Sequence, residues 1–325
     1  MYLQRVLKIS SVAAAGLFLS ACATGPDTQA ASGHYQCGQL SVTVASASDS
    51  GLLGVDYQGK RLLLTPQESS SGALYAAPGD DDTRFWSKGE RATFTVKGQA
   101  YPECLQAGAL ETRFEATGNE PFWHVGVEGE ELVLNRPYDT GGPEKVALET
   151  VVANHHGREF RGELGGQELT LKVARQLCED SMSGAQFPAQ VRLGLNGEVF
   201  QGCGGDPERL FRGAEWVVED LAGAGIIDRS RITVEFFEGN RLAGLASCNR
   251  YGGQYELTAE GVSFDHMFST KMACAPALMN QEDRFLELMS KVKRVAIGRN
   301  GKLLLTTTEG DEIKAFQATY NRGEQ

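Results

Sequence analysis

Leu40-Ser41-Val42-Thr43-Val44 decides how this chain is read, because apolar and small polar residues alternate in it with a period of two. Successive side chains of an extended strand point to opposite faces, so the stretch reads as a strand with one face in a core and one in water. The same signature returns at Ala92-Thr93-Phe94-Thr95-Val96, Glu168-Leu169-Thr170-Leu171-Lys172-Val173 and Ile232-Thr233-Val234-Glu235-Phe236. Leu132-Val133-Leu134, Gln190-Val191-Arg192-Leu193 and Leu303-Leu304-Leu305 read as shorter strands. Turn chemistry divides them, at Asp49-Ser50-Gly51, Gln58-Gly59, Pro78-Gly79-Asp80, Glu238-Gly239-Asn240 and Glu309-Gly310-Asp311. Helical spacing is clear once, near the C-terminus. There Asn280 is placed to N-cap, Asp283 to sit in the first turn, and Phe285, Leu286, Met289 and Val292 to form an apolar face. The expected class is mainly β: a small antiparallel β-barrel (or sandwich), a β-rich middle unit, and an α+β unit at the end.

At 325 residues the chain exceeds one typical domain. Its seven cysteines divide as Cys22 alone and six that fall two by two into successive blocks: Cys37 and Cys104, Cys178 and Cys203, Cys248 and Cys274. Six cysteines allow more than one connectivity, and the sequence does not choose among them. Pairing neighbours is the economical reading, because each pair then lies inside one compositional block. Each loop so closed contributes about 3–4 kcal/mol. Such bonds persist in an oxidising periplasm. A zinc site is the rival, but there is no C-x-x-C or H-x-x-x-H and the five histidines are scattered. No metal or cofactor is expected. The blocks run 34–105, 108–207 and 210–318.

The N-terminus reads as an export signal. Arg5 and Lys8 make a short basic region, and Ile9 to Phe18 an apolar run well short of the roughly 20 residues that span a bilayer. The run ends in Leu19-Ser20-Ala21-Cys22, which resembles the lipobox of bacterial lipoproteins. The resemblance implies cleavage of residues 1–21, with diacylglycerol on the Cys22 thiol and a fatty acid on its new amine. Several acyl chains make a stable membrane anchor. The other reading is a soluble secreted protein with an incidental cysteine. Ala23 stands where an aspartate would resemble an inner-membrane retention signal, so the outer membrane, periplasmic face, is expected. Residues 22–33 read as a polar linker. Losing the two cations Arg5 and Lys8 takes the formal charge from −11 to −13. The absence of a basic stripe argues against nucleic acid as a partner. An acidic surface either steers cationic partners in or serves ordinary solubility.

Two spots in the first block stand out: Ser69-Ser70-Ser71-Gly72-Ala73-Leu74-Tyr75 and Phe85-Trp86-Ser87-Lys88-Gly89-Glu90. With Tyr35-Gln36-Cys37 before them and Tyr101-Pro102-Glu103-Cys104 after, this block resembles the membrane-bound inhibitors of C-type lysozyme (MliC-like). The resemblance implies that both motifs lie on neighbouring loops and enter the lysozyme cleft, with Ser71 and Lys88 as contacts and Gly72, Tyr75 and Trp86 in the same binding surface. It makes C-type lysozyme the expected partner and the protein an inhibitor, not an enzyme. The chemistry suits the role. A retaining glycosidase holds two carboxylates about 5 Å apart, one protonated and one ionised. A lysine ammonium offers three donors to such a pair, and a serine hydroxyl both donates and accepts. Taken singly, Ser-Gly is also common turn chemistry. Asp80-Asp81-Asp82 lies between the motifs and either draws in a basic lysozyme or pairs with Arg84 and Lys88.

The second block carries Gly118-Asn119-Glu120-Pro121-Phe122-Trp123 and Cys178-Glu179-Asp180-Ser181-Met182-Ser183. It resembles an uncharacterised family of envelope lipoproteins, which implies no activity. Glu120, His124 and Asp180 can be written as an acid–base site, although a lone Glu or His near a Trp is more often a packed element. His155-His156 reads as solvated. The third block resembles the META domain of heat-inducible lipoproteins, through Trp216, Gly244-Leu245-Ala246-Ser247-Cys248-Asn249-Arg250-Tyr251-Gly252-Gly253, Phe268-Ser269-Thr270-Lys271-Met272-Ala273-Cys274, Glu282 and Phe285. That implies an α+β fold and a link to envelope stress. Asn249 and Arg250 either bind a polar ligand or satisfy loop carbonyls.

Overall fold

The structure is a computed structural model that describes residues 32–47, 51–138 and 141–320. Cys22 and residues 1–31 lie outside the described residues, as do Asp49 and Ser50 of one expected turn. Among the described residues no helix is long and apolar enough to cross a membrane.

Among the described residues three large antiparallel sheets follow one another along the chain, with a two-stranded ribbon of Cys178–Glu179 and Gln186–Phe187 beside the second. The first is nine-stranded and closes on itself: Gly33–Cys37 pairs with both Leu40–Ala47 and Cys104–Leu105, while Asp80–Lys88 pairs with both Ala73–Ala77 and Arg91–Val96. Closure leaves no free edge for another chain to pair with. The period of two explains the interior. Leu40, Val42 and Val44 turn inward and meet Phe85 and Phe94, while Ser41 faces water. Tyr35 meets Phe85 edge-on at 5.3 Å between ring centres, and Tyr57 meets Phe94 at 5.2 Å.

The second sheet is also nine-stranded, with Glu144–Ala147 and Glu149–Asn154 at its two ends. Only Leu148 separates those strands in sequence, so one continuous run of chain serves both edges. Its core holds Trp123, 1 % exposed, with Phe114, Phe160 and Leu171. Glycine is required beside the indole: a Cβ on Gly118 would stand 2.3 Å from Trp123 Nε1, and one on Gly202 would stand 2.0 Å from the Thr117 oxygen.

The third sheet has eight strands, and the helix Pro276–Ser290 packs on it through Phe285, Leu288 and Met289. The helix starts earlier than its apolar spacing suggests. Pro276 occupies its first turn, where a fixed φ and a missing N–H cost nothing, and Ala275 holds the cap position without a side-chain bond. Asn280 therefore lies inside the helix and does not cap it, and Asp283 is beyond the first turn. Val292 belongs to the next strand, Val292–Ile297. The mainly-β reading with an α+β C-terminal unit agrees with the architecture.

The six paired cysteines form Cys37–Cys104, Cys178–Cys203 and Cys248–Cys274. Arg209 connects the units and is only 7 % exposed. It donates to the Gln36 and Glu103 oxygens at 3.0 and 2.6 Å, beside the first disulfide, and its Nε lies 3.4 Å from the Glu111 carboxylate. Gly38 and Gly213 allow the backbones to meet there, since a Cβ on either would fall within 2.6 Å of a carbonyl oxygen across the junction.

Candidate functional site

The site is built on two paired strands. Ala73 faces Ser87, Leu74 faces Trp86 and Tyr75 faces Phe85. Alternation sends Tyr75, Phe85 and Ser87 inward and leaves Trp86 and Lys88 on the outside. Just before Ala73 the chain turns through Ser69–Gly72. Gly72 has φ +68°, and a Cβ there would stand 2.3 Å from the Ser87 oxygen and 3.1 Å from Trp86 Nε1. Only glycine lets this turn lie flat against the neighbouring strand. Two donors then fix it: Trp86 Nε1 reaches the Ser71 oxygen at 2.8 Å, and Ser69 Oγ reaches the same oxygen at 2.7 Å.

The backbone of Ser71 is thus held while its hydroxyl, among the described residues, makes no hydrogen bond. One step beyond the Ala73–Ser87 pair, Gly72 comes level with Lys88, so Ser71 and Lys88 share one end of the two strands. The Lys88 ammonium is exposed and, among the described residues, has no ion-pair or hydrogen-bond partner. Trp86, 38 % exposed, lies beside them. Tyr75 is a correction. Its side chain is only 6 % exposed and packs in the barrel core, because it shares parity with Phe85. It supports the surface from below and does not belong to it.

The acidic run does not reach Lys88. Asp80 folds back on its own turn, accepting from Asp82 N at 3.1 Å and Thr83 Oγ1 at 2.7 Å. It stands at the opposite end of the strand, about 27 Å away at an extended rise of 3.4 Å per residue. Lys88 therefore keeps its charge uncompensated by Asp80. Past Lys88, the hairpin is braced from the second sheet: Arg158 Nη2 holds the Glu90 carboxylate at 2.5 Å, and Gln106 N donates to the Glu90 oxygen at 2.9 Å. The sequence carried no signal for this brace, since Glu90 and Arg158 are 68 positions apart.

The other expected clusters have structural partners. Asp180 closes its own loop, accepting from Met182 N, Ser183 N and Ser183 Oγ, and Asn119 Nδ2 donates to it at 2.7 Å. Burial pushes that carboxyl up, but these donors outweigh it and hold it below its usual range. His124 points instead to Glu115, 3.8 Å away, so Glu120, His124 and Asp180 do not assemble. His155 and His156 sit in an exposed turn. In the third unit Asn249 is a loop clamp. Its Oδ1 accepts from Thr270 Oγ1 and Met272 N at 2.8 and 2.7 Å, and buried Glu282 accepts from its backbone N at 2.8 Å. Arg250 is exposed.

One charged group had no sequence signal. Glu235 lies directly across from Glu215 in the third sheet. Burial, with the Glu215 charge beside it, raises its carboxyl to about 7, against the pull of Arg231 and Lys60. Lys60 comes from the first barrel, as does Tyr101, which burial pushes up to about 12 with help from Tyr57 and Glu235.

With a closed barrel, a framing disulfide and the two motifs side by side, the comparison with known families is decisive for this block. Residues 35–102 match the family model of the membrane-bound lysozyme-inhibitor of c-type lysozyme. The chain carries an MliC domain. Residues 209–320 match the META domain. No curated protein matches the chain. Among solved structures, an NMR structure of a protein from Burkholderia xenovorans is 23 % identical, covering 34 % of this chain and 86 % of its own, with a TM-score of 0.30. A second NMR structure is also 23 % identical over 34 % of this chain and 93 % of its own, with a TM-score of 0.29. By its description, the family matched over residues 35–102 is one of membrane-bound inhibitors of c-type lysozyme.

Proposed function

We propose that this chain is an outer-membrane lipoprotein that inhibits c-type lysozyme by inserting Ser71 and Lys88 into the enzyme's cleft. The observation that carries the reading is the pair at one end of the Asp80–Lys88 strand: the Ser71 hydroxyl, on a turn held by Trp86 and Gly72, and the Lys88 ammonium at the strand's end, neither with a partner among the described residues. A fixed donor set loses little freedom on binding, which favours tight association. Lys88 meets the ionised carboxylate of the glycosidase and Ser71 bridges to its protonated neighbour, so inhibition is occlusion with charge satisfaction and no bond changes. Trp86 and Gly72 form the surrounding contact. The MliC match supports the partner class. Cys22, acylated after cleavage of residues 1–21, tethers the inhibitor to the periplasmic face of the outer membrane. Residues 34–105, 108–207 and 210–318 are taken as three units, with the last as an accessory envelope-stress module.

The test is complementation. Cells lacking the protein are expected to become sensitive to c-type lysozyme once their outer membrane is permeabilised. The native gene restores resistance, and Lys88→Ala and Cys22→Ala do not. If Lys88→Ala and Ser71→Ala complement fully, including under heat stress, the protein acts as a stress or scaffold module and the inhibitor reading is overturned.

A further inference from the structure

The two motifs of the middle unit, which lysozyme inhibition does not use, meet in one place. On the outer face of the second sheet, a cleft of about 540 Å³ opens between the Gly118–Glu120 turn and the Cys178–Ser181 loop. Strand register explains its floor. Thr117 pairs with Cys203, Cys203 with Gln190, and Gln201 with Arg192. Side chains of the same parity on three adjacent strands therefore share this face, and Asn119, Gln201 and Arg192 come level across it. The wall is fixed by the Cys178–Cys203 disulfide and by Asn119 Nδ2, which donates to Asp180 Oδ2 at 2.7 Å and Ser181 Oγ at 3.1 Å.

What this framework leaves unsatisfied is informative. Glu120 and Arg192 both line the cleft, and among the described residues neither has an ion-pair or hydrogen-bond partner for its side chain. The other two acids are engaged: Asp180 by its own loop, and Glu179 by Arg294 at 3.4 Å. Glu120 follows the Phe114–Asn119 strand, and Arg192 lies two strands away. At about 4.8 Å per strand the backbones that carry the opposite charges are about 10 Å apart, close to the span of three extended residues. Between them lie the Gln201 amide and Val199, which is 64 % exposed at the cleft rim. Amides suit peptide groups, and an exposed valine suits a small apolar side chain.

We infer that this cleft binds a short peptide with free ends, its ammonium held by Glu120 and its carboxylate by Arg192. A carboxylate fits the planar guanidinium by two parallel bonds, whereas an ammonium needs only a compact acceptor. This site is separate from the MliC surface, so lysozyme inhibition is unaffected by its occupancy.

The experiment titrates trialanine, N-acetyl-trialanine and trialanine amide into the chain from Ala23 to Gln325 by calorimetry or NMR. Trialanine is expected to bind, and capping either end to weaken it at least tenfold. On Glu120→Gln, acetylation should no longer matter while amidation still does, and on Arg192→Gln the reverse. Folding of each variant is checked by its thermal transition, and Glu115→Gln, outside the cleft, should bind as the native chain does. The inference is overturned if trialanine fails to bind at millimolar concentration, if either capped form binds as tightly as trialanine, or if a simple alkylamine binds as tightly as trialanine.

Discussion

Replacing Gly72 by alanine removes no group that touches lysozyme, yet it should disable the inhibitor. The residue sits at φ +68°, where an L side chain costs about 1–2 kcal/mol. The new Cβ would stand 2.3 Å from the Ser87 oxygen, a backbone atom inside a paired strand that has no room to yield. The turn must therefore lift by about an ångström, the difference from ordinary van der Waals contact of about 3.5 Å. Lifting it stretches the 2.8 Å bond from Trp86 Nε1 to the Ser71 oxygen, a loss of about 1 kcal/mol. Together these come to about 2–3 kcal/mol, all local to one turn. Thermal unfolding should show a modest loss of stability. Inhibition of a c-type lysozyme should fall at least tenfold, because Ser71 and Lys88 no longer share a fixed geometry. If Gly72→Ala inhibits as well as the native chain with its melting point unchanged, the turn is not the rigid element described above.

Arg209→Met keeps the volume of the buried stem but leaves Glu111 and two carbonyls unpaired at the junction, at a cost of about 3–5 kcal/mol. It should lower the melting temperature and expose the segment between Leu105 and Ala109 to limited proteolysis. Glu235 gives a pH effect of defined sign. Its folded value of about 7 lies above the ordinary carboxyl value near 4.3, so between these limits the folded state holds a proton that the unfolded chain has released. Stability should fall as pH rises through that window and level off above it, by about 1–2 kcal/mol after solvent screening of a half-buried group. Glu235→Gln should flatten the profile in chemical denaturation, and an unchanged slope would refute the assignment. Trp86→Phe keeps an aromatic ring but loses part of the indole face and the N–H that holds the Ser71 oxygen, so inhibition should weaken severalfold with little change in folding.

The strands were legible because period-two alternation is a local property. Leu40–Val44 and Glu168–Val173 state their own inward faces, and the Gly239–Asn240 and Gly59 turns carry the positive φ values that their residue types favour. Ser71 and Lys88 were singled out through the motifs around them, and among the described residues neither side chain has an internal partner. Tyr75 was misassigned because proximity in sequence says nothing of parity: Leu74, opposite the outward Trp86, is immediately followed by the inward Tyr75. The helix start was misplaced because a side-chain cap was sought at Asn280, whereas Pro276 begins the helix by its fixed φ. The junction was not legible at all. Arg209, Glu111, Glu90, Arg158 and Glu235 act between units, and long-range pairing of single charges leaves no periodic trace in a sequence.

The central claim is that Ser71 and Lys88 form the inhibitory contact, and an inhibition titration tests it most directly. Purified chain from Ala23 to Gln325 is titrated into a c-type lysozyme acting on cell walls, beside Lys88→Ala and Ser71→Ala. The native chain should inhibit at micromolar concentration or below. Lys88→Ala should weaken it by about 2–5 kcal/mol, at least about 30-fold, because it leaves a buried carboxylate unpaired. A native chain that leaves the enzyme fully active at micromolar concentration, or variants that inhibit as well as the native chain does, would contradict it.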